Sequence, residues 1–314
     1  MSFNYKTLNN KVKTYSSLVL SMIFWGFSFI WFKIANKTFL PVTIVFLRLS
    51  FSVLILTVYL LFAKGFTKIR KGDFKLFLIM ALFEPFFYFL GESFGLTYVS
   101  ATVCSVMIST IPVFATIGAW LVFREKLTRI NYAGIIISFV GVLVFLLKKD
   151  GSIIYDLKGL ALIMVAVMSA VGYNLTLSRL VDKYSPVYIV NVQNVIGASL
   201  FLPIFIISDS VTFIHGSYTP VMFLPVIALA AFASCGAFIL FAFSVSRIGI
   251  LKANVFTNFI PLFTALFSFI LLGERLTFQN VAGMIVVIAG VLMAQVNGRI
   301  KSVEEALSLT GKTA

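Results

Sequence analysis

Charge is scarce in this chain. Of 314 residues only 11 are acidic and 25 basic, so 11% carry charge while 60% are hydrophobic. Soluble domains carry charge on roughly a quarter of their residues. With a mean hydropathy of +1.05, this composition requires lipid as the solvent. Cysteine and histidine are scarcer still: Cys104 and Cys235 fall inside apolar runs, and His215 stands alone. That disfavours both a disulfide framework and a zinc site. No nucleotide loop, metal-spaced group or nucleophile cluster is present, so an enzyme is disfavoured and no cofactor is expected. Nor does the net charge of +14 mark a nucleic-acid binder, because the basic residues lie in short spacers between apolar runs. There they act as topology signals.

What the chain has in abundance is the apolar run of about 20 residues, long enough to cross a hydrocarbon core of roughly 30 Å. Ten are predicted, near 15–35, 42–62, 74–97, 101–123, 131–147, 158–178, 187–208, 220–246, 252–272 and 280–297. The first is too long for a signal core and lacks an A-x-A-like cleavage site, so it is expected to remain as a membrane helix. The fold class is therefore all-α integral membrane, multi-pass.

The basic residues give the orientation. With the N-terminus inside, 18 of the 25 fall in inside segments, among them Lys64, Lys68, Arg70, Lys71 and Lys75. Outside segments hold Lys33, Lys37, Lys148, Lys149, Lys158 and Arg275, and Arg48 lies within the second helix. Both termini are predicted to be cytoplasmic.

One stretch occurs twice. Ile111-Pro112-Val113-Phe114, Glu125-Lys126-Leu127-Thr128, Asn131, Ala133-Gly134 and Gly141-Val142-Leu143 return 149 positions later without a gap. The second copy reads Ile260-Pro261-Leu262-Phe263, Glu274-Arg275-Leu276-Thr277, Asn280, Ala282-Gly283 and Gly290-Val291-Leu292. This is an internal duplication, and in so apolar a chain it points to a carrier built from two related halves. Five helices per half is an odd number, so the second half enters the membrane from the opposite side. The expected organisation is an N-terminus at 1–14, repeats at 15–147 and 158–297 joined by a linker at 148–157, and a tail at 298–314. Within that tail Ser302-Val303-Glu304-Glu305 has the pattern of a cap to a short helix.

These residues, with Trp25-Gly26 in helix one and Arg48 seven positions after Pro41, resemble the drug/metabolite transporter superfamily with two EamA-type repeats. Pro186 and Gln193 keep the spacing of Pro41 and Arg48, with the charge lost. The resemblance covers roughly 15–297. It implies a ten-helix carrier of small solutes in the cytoplasmic membrane, often an exporter of amino acids or other metabolites, with a central site between the halves. It does not imply which solute, since fold is a poor guide to specificity.

Ionisable groups at membrane depth cost roughly 2.5–3.5 kcal/mol on insertion scales, so each needs a reason. Arg48, Glu84 and Glu92 are the clear cases. At 1.5 Å per residue Arg48 and Glu92 both lie roughly 10 Å below the outer boundary. Paired, they form either a static ion pair or a gate and receptor for a zwitterionic or carboxylate solute. Glu84 lies deeper, next to Pro85, and Glu84, Tyr88 and Glu92 share one face of helix three. It is either a site of proton uptake and release or a protonated group that hydrogen-bonds a neighbouring helix. The 149-residue offset pairs the three with Ala233, Ala237 and Phe241, so the acidic stripe exists in one half only. Trp25, Asn174, Asn191, Gln193, Asn194, Asn254 and Asn258 complete the candidate set for substrate binding or gating, with interhelical hydrogen bonding as the alternative for any one of them. Gly91-x-x-x-Gly95 reads as a packing seam.

The resulting expectation is a secondary carrier moving a small organic metabolite by alternating access, as an exporter, with protons as the candidate coupling ion. Its partners are the solute and the bilayer, and its state is monomer or homodimer. A channel or a non-transporting scaffold is the alternative.

Overall fold

The computed structural model describes residues 5–123, 128–147 and 155–295. Among them ten helical spans are long and apolar enough to cross a membrane. They are α1 (Tyr5–Ala35), α2 (Pro41–Phe62), α3 (Asp73–Tyr98), α4 (Ala101–Ile108 and Ile111–Phe123) and α5 (Arg129–Leu146) in the first half. The second half has α6 (Leu157–Leu180), α7 (Pro186–Ser208), α8 (Pro220–Ile248), α9 (Ile250–Leu272) and α10 (Phe278–Gln295). Ten crossings put the start of α1 and the end of α10 on one side, here the terminal face; the other is the far face. The Glu125-Lys126-Leu127 copy of the repeat, Lys148, Lys149 and the tail from 296 onward lie outside the described residues.

Local chemistry starts the helices where expected. Ser100 Oγ accepts from the Val103 amide at 3.3 Å, Ser185 Oγ from Tyr188 at 3.3 Å, and Asp156 Oδ1 from Lys158 at 2.7 Å. Each satisfies a donor that the first helical turn leaves free. Pro41 and Pro186 open α2 and α7, where a missing amide hydrogen costs nothing.

The duplicated residues turn out to be packing devices. Helices α5 and α10 lie antiparallel in the most extensive helix contact among the described residues. A Cβ on Gly134 would stand 2.2 Å from the Ala294 amide, and one on Gly290 would stand 2.3 Å from the Ser138 amide, so only glycine permits this approach. The duplicated asparagines do two jobs. Asn131 Oδ1 accepts from Thr128 while its Nδ2 reaches the Ala294 carbonyl at 2.8 Å; Asn280 Oδ1 accepts from Thr277 while its Nδ2 reaches Phe145 O at 3.2 Å. Each half thereby fastens its last helix to the other half.

Elsewhere α3 packs on α6, α2 on α7, and α1 on α8 and α9. Gly91 and Gly95 face Leu162, Ile163 and Ala166 of α6, which makes the expected packing seam. Two helices lose regularity at equivalent places. In α3 the turn widens over Leu82–Phe87, with Glu84 in an extended conformation (φ −144°, ψ 118°) before Pro85; α8 widens over Leu229–Ala237 without a proline. The break is therefore a property of both halves, and proline sharpens it in one. Helices α4 and α9 are interrupted too, at 109–110 and at Phe256–Phe259, just before the paired Pro112 and Pro261.

Candidate functional site

The breaks in α3 and α9 face a cavity between the halves, lined by α1, α2, α3, α4, α6, α8 and α9. Its polar wall is Arg48, Glu84, Tyr88 and Glu92, joined by Asn174, Asn254 and Thr257. Its volume is about 50 Å³. That holds a few water molecules, and metabolite-sized pockets are several times larger.

Arg48 is the best-held charge. Its Nη1 lies 3.9 Å from Glu92 Oε2, Nε donates to Ser234 Oγ at 2.9 Å, and the guanidinium sits 4.2 Å above the Phe89 ring. Tyr88 Oη donates to Glu92 Oε1 at 3.2 Å, one helical turn away. At 3.9 Å the ion pair is too long for a hydrogen bond, so the two charges attract without being locked together.

Glu84 is different. It is buried, lines the cavity, and has neither a hydrogen bond nor an ion pair; among the described residues the ion pairs are Arg48–Glu92 and Lys183–Asp73. The apolar wall opposite is aromatic: Trp25 packs on Phe238 and Phe241 with centroids 5.2 and 5.1 Å away, and Tyr173 meets Phe238 edge-on.

Of the residues singled out in the sequence, the cavity brings together Trp25, Arg48, Glu84, Tyr88, Glu92, Asn174 and Asn254. The others are placed elsewhere. Asn191 Nδ2 donates to Thr57 Oγ1 at 3.0 Å and Asn194 Nδ2 to Ser52 Oγ at 2.6 Å, so both join α7 to α2. Asn258 Nδ2 donates to Val255 O within its own helix. Gln193 is fully buried outside the cavity lining. Sequence reasoning missed Ser234 and Phe89, which hold Arg48. Ser234 had a signal, since the repeat offset pairs it with Pro85 at the break in α3; Phe89 is one of 35 phenylalanines and had none.

A second hollow of about 320 Å³ lies on the outer side of α3 and α6 between Phe83, Phe87, Met164 and Met168. It is apolar and shallow, with Ser169 its one polar lining residue, and offers no chemistry.

Comparison with known proteins agrees with this architecture. The model of the EamA-like transporter family matches residues 12–147 and again 157–295. An uncharacterized transporter of Archaeoglobus fulgidus is 28% identical over 280 residues, covering 89% of this chain and 98% of that protein. The uncharacterized transporter YcxC of Bacillus subtilis is 25% identical over 295 residues, covering 92% and 95%. A crystal structure at 15% identity superposes with a TM-score of 0.65 over 90% of this chain and 96% of that one, a likeness of fold alone. Two family matches on two inverted five-helix halves, around a buried charged cavity, make this chain a member of the EamA-like transporter family and a multi-pass membrane transporter.

Proposed function

We propose that this transporter carries a small organic metabolite, an amino acid or related solute, out of the cell across the cytoplasmic membrane by alternating access. The observation that carries the reading is the cavity itself: a long Arg48–Glu92 pair and an unpaired Glu84 enclosed between two inverted halves. Inverted halves of one fold can exchange conformations and open such a site to each side in turn. Energy comes from a gradient, with protons as the coupling ion at Glu84 or Glu92. The basic residues make the terminal face cytoplasmic.

The test does not require the solute to be guessed. Small molecules are compared in the medium of cells expressing wild type, Glu92→Gln and Arg48→Ala at matched membrane levels. Accumulation of one solute class with wild type alone supports export through the charged pair. Selective depletion means uptake. Accumulation with all three keeps the carrier and makes the pair structural, and no difference from empty cells removes export of a metabolite.

A further inference from the structure

The segment joining α2 to α3 concentrates positive charge at the terminal face. Lys64, Lys68, Arg70, Lys71 and Lys75 fall within 64–75, and all five are exposed. The other loops between helices on that face hold two or three basic residues each. Among the described residues none of the five makes an ion pair, the pairs being Arg48–Glu92 and Lys183–Asp73. The one acid of the segment, Asp73, is already occupied. It takes Lys183 Nζ at 2.7 Å and the Tyr184 hydroxyl at 3.0 Å, and that hydroxyl in turn accepts from the Arg70 amide at 3.0 Å. Those bonds pin the segment to the loop between α6 and α7, where exposed Asp182 is the remaining acid. A backbone fixed in this way presents its cations with less ordering left to be done on binding.

Such a concentration exceeds what orientation in the membrane asks for, which is a bias in count between the two faces. Nor does the fold require it. The repeat offset pairs 64–75 with 213–224, and that stretch holds neither lysine nor arginine. Beside the cations stand uncovered rings: Phe62 at the end of α2 is 86% exposed, Phe74 at the start of α3 57%, and Phe66 between them 50%. Cations and apolar rings side by side at the ends of two membrane spans match the boundary between headgroups and acyl chains. A zwitterionic headgroup brings an ammonium that needs an acid, and Asp73 is taken. An anionic headgroup brings phosphate oxygens without that ammonium, which suits unpaired cations.

We propose that the surface formed by 62–75 binds anionic phospholipid of the phosphatidylglycerol class, its cations on the headgroup phosphates and its exposed phenylalanines against the acyl chains. The rings favour a lipid over a free anion, since inorganic phosphate has nothing to cover them with. This surface acts independently of the solute carried, and the bilayer itself supplies the occupant.

The experiment is thermal unfolding of the purified full chain in a neutral detergent, titrated with phosphatidylglycerol, with phosphatidylcholine of the same acyl chains, or with inorganic phosphate. Phosphatidylglycerol is expected to raise the midpoint by about 2–4 °C over phosphatidylcholine, and the rise should shrink at high salt. The variant carrying Lys68→Gln, Lys71→Gln and Lys75→Gln should lose it, while Lys37→Gln with Lys158→Gln on the far face should keep it. Where the triple variant fails to fold, Lys68→Gln with Lys75→Gln carries the test and should raise the half-effect lipid concentration roughly threefold. Equal midpoints in the two lipids overturn the proposal. So does a rise that survives the triple variant, which places the lipid elsewhere, or one lost equally in the far-face variant, which reads overall charge alone. The same rise with inorganic phosphate means an anion effect and removes the lipid.

Discussion

Glu274, in the loop between α9 and α10, closes the start of α4 through Thr102. Its Oε2 accepts from the Thr102 hydroxyl at 2.7 Å and its Oε1 from the Ala101 amide at 3.0 Å. The acid of the second Glu-x-Leu motif is thus an N-cap supplied by the opposite half. A carboxylate there satisfies free amides and meets the positive end of the helix. Nearby, Lys33 Nζ donates to Leu96 O at the end of α3, so the far face is fastened at two points.

Replacing Glu274 by Ala is expected to cost about 1–2 kcal/mol, the range for a lost charged cap. Thermal unfolding of the purified protein measures it, and Thr102→Val, which deletes one of the bonds, should lose a smaller part.

Gly134→Leu and Gly290→Leu should leave little folded protein, because each new side chain meets backbone at once. Overpacking of cores costs roughly 1–3 kcal/mol and more where nothing can yield. Gly72→Ala, with open space around it, is the control and should match wild type in detergent-solubilised yield.

Arg48→Ala leaves Glu92 buried beside no cation and is expected to cost about 3–5 kcal/mol. Arg48→Met with Glu92→Gln removes both charges together and should be milder than the sum of the single changes, a coupling that a double-mutant cycle reads directly. Retained transport in that double variant would mean the pair holds the fold and does not handle solute.

Glu84→Gln preserves size and polarity while removing the titrating group. Wild-type transport in proteoliposomes is expected to respond to an imposed pH gradient, and the variant to run at one rate with and without it, still folded by size-exclusion profile. An unchanged response would take Glu84 out of the coupling.

On the terminal face Asp73 receives Lys183 Nζ at 2.7 Å and the Tyr184 hydroxyl at 3.0 Å. Lys183→Ala should matter little, under about 1 kcal/mol, because that side chain is 39% exposed. Tyr184→Phe should cost about 1 kcal/mol, since its hydroxyl also accepts from the Arg70 amide at 3.0 Å. Denaturation of the two variants in parallel separates exposed charge from buried hydrogen bond.

Span number, duplication and inversion were legible in the sequence because each rests on a local property. Twenty apolar residues are one bilayer thickness, a 149-residue offset is visible letter by letter, and an odd number of spans inverts the second half. The meeting of Arg48 and Glu92 was legible for the same reason, since depth follows from counting 1.5 Å steps. Counting says nothing about how a helix is rotated about its axis or which neighbour it meets. Asn191 and Asn194 have the same polarity as Asn174 and Asn254, yet they face α2 rather than the cavity. Gln193 looked like Arg48 with its charge lost, and only the fold showed that it is fully buried and, unlike Arg48, outside the cavity lining. Glu274 finds its amides more than 170 positions away, at Ala101 and Thr102. Hydropathy fixes how deep a side chain lies, while its partner is decided by the close packing of distant helices, which is a property of the whole molecule.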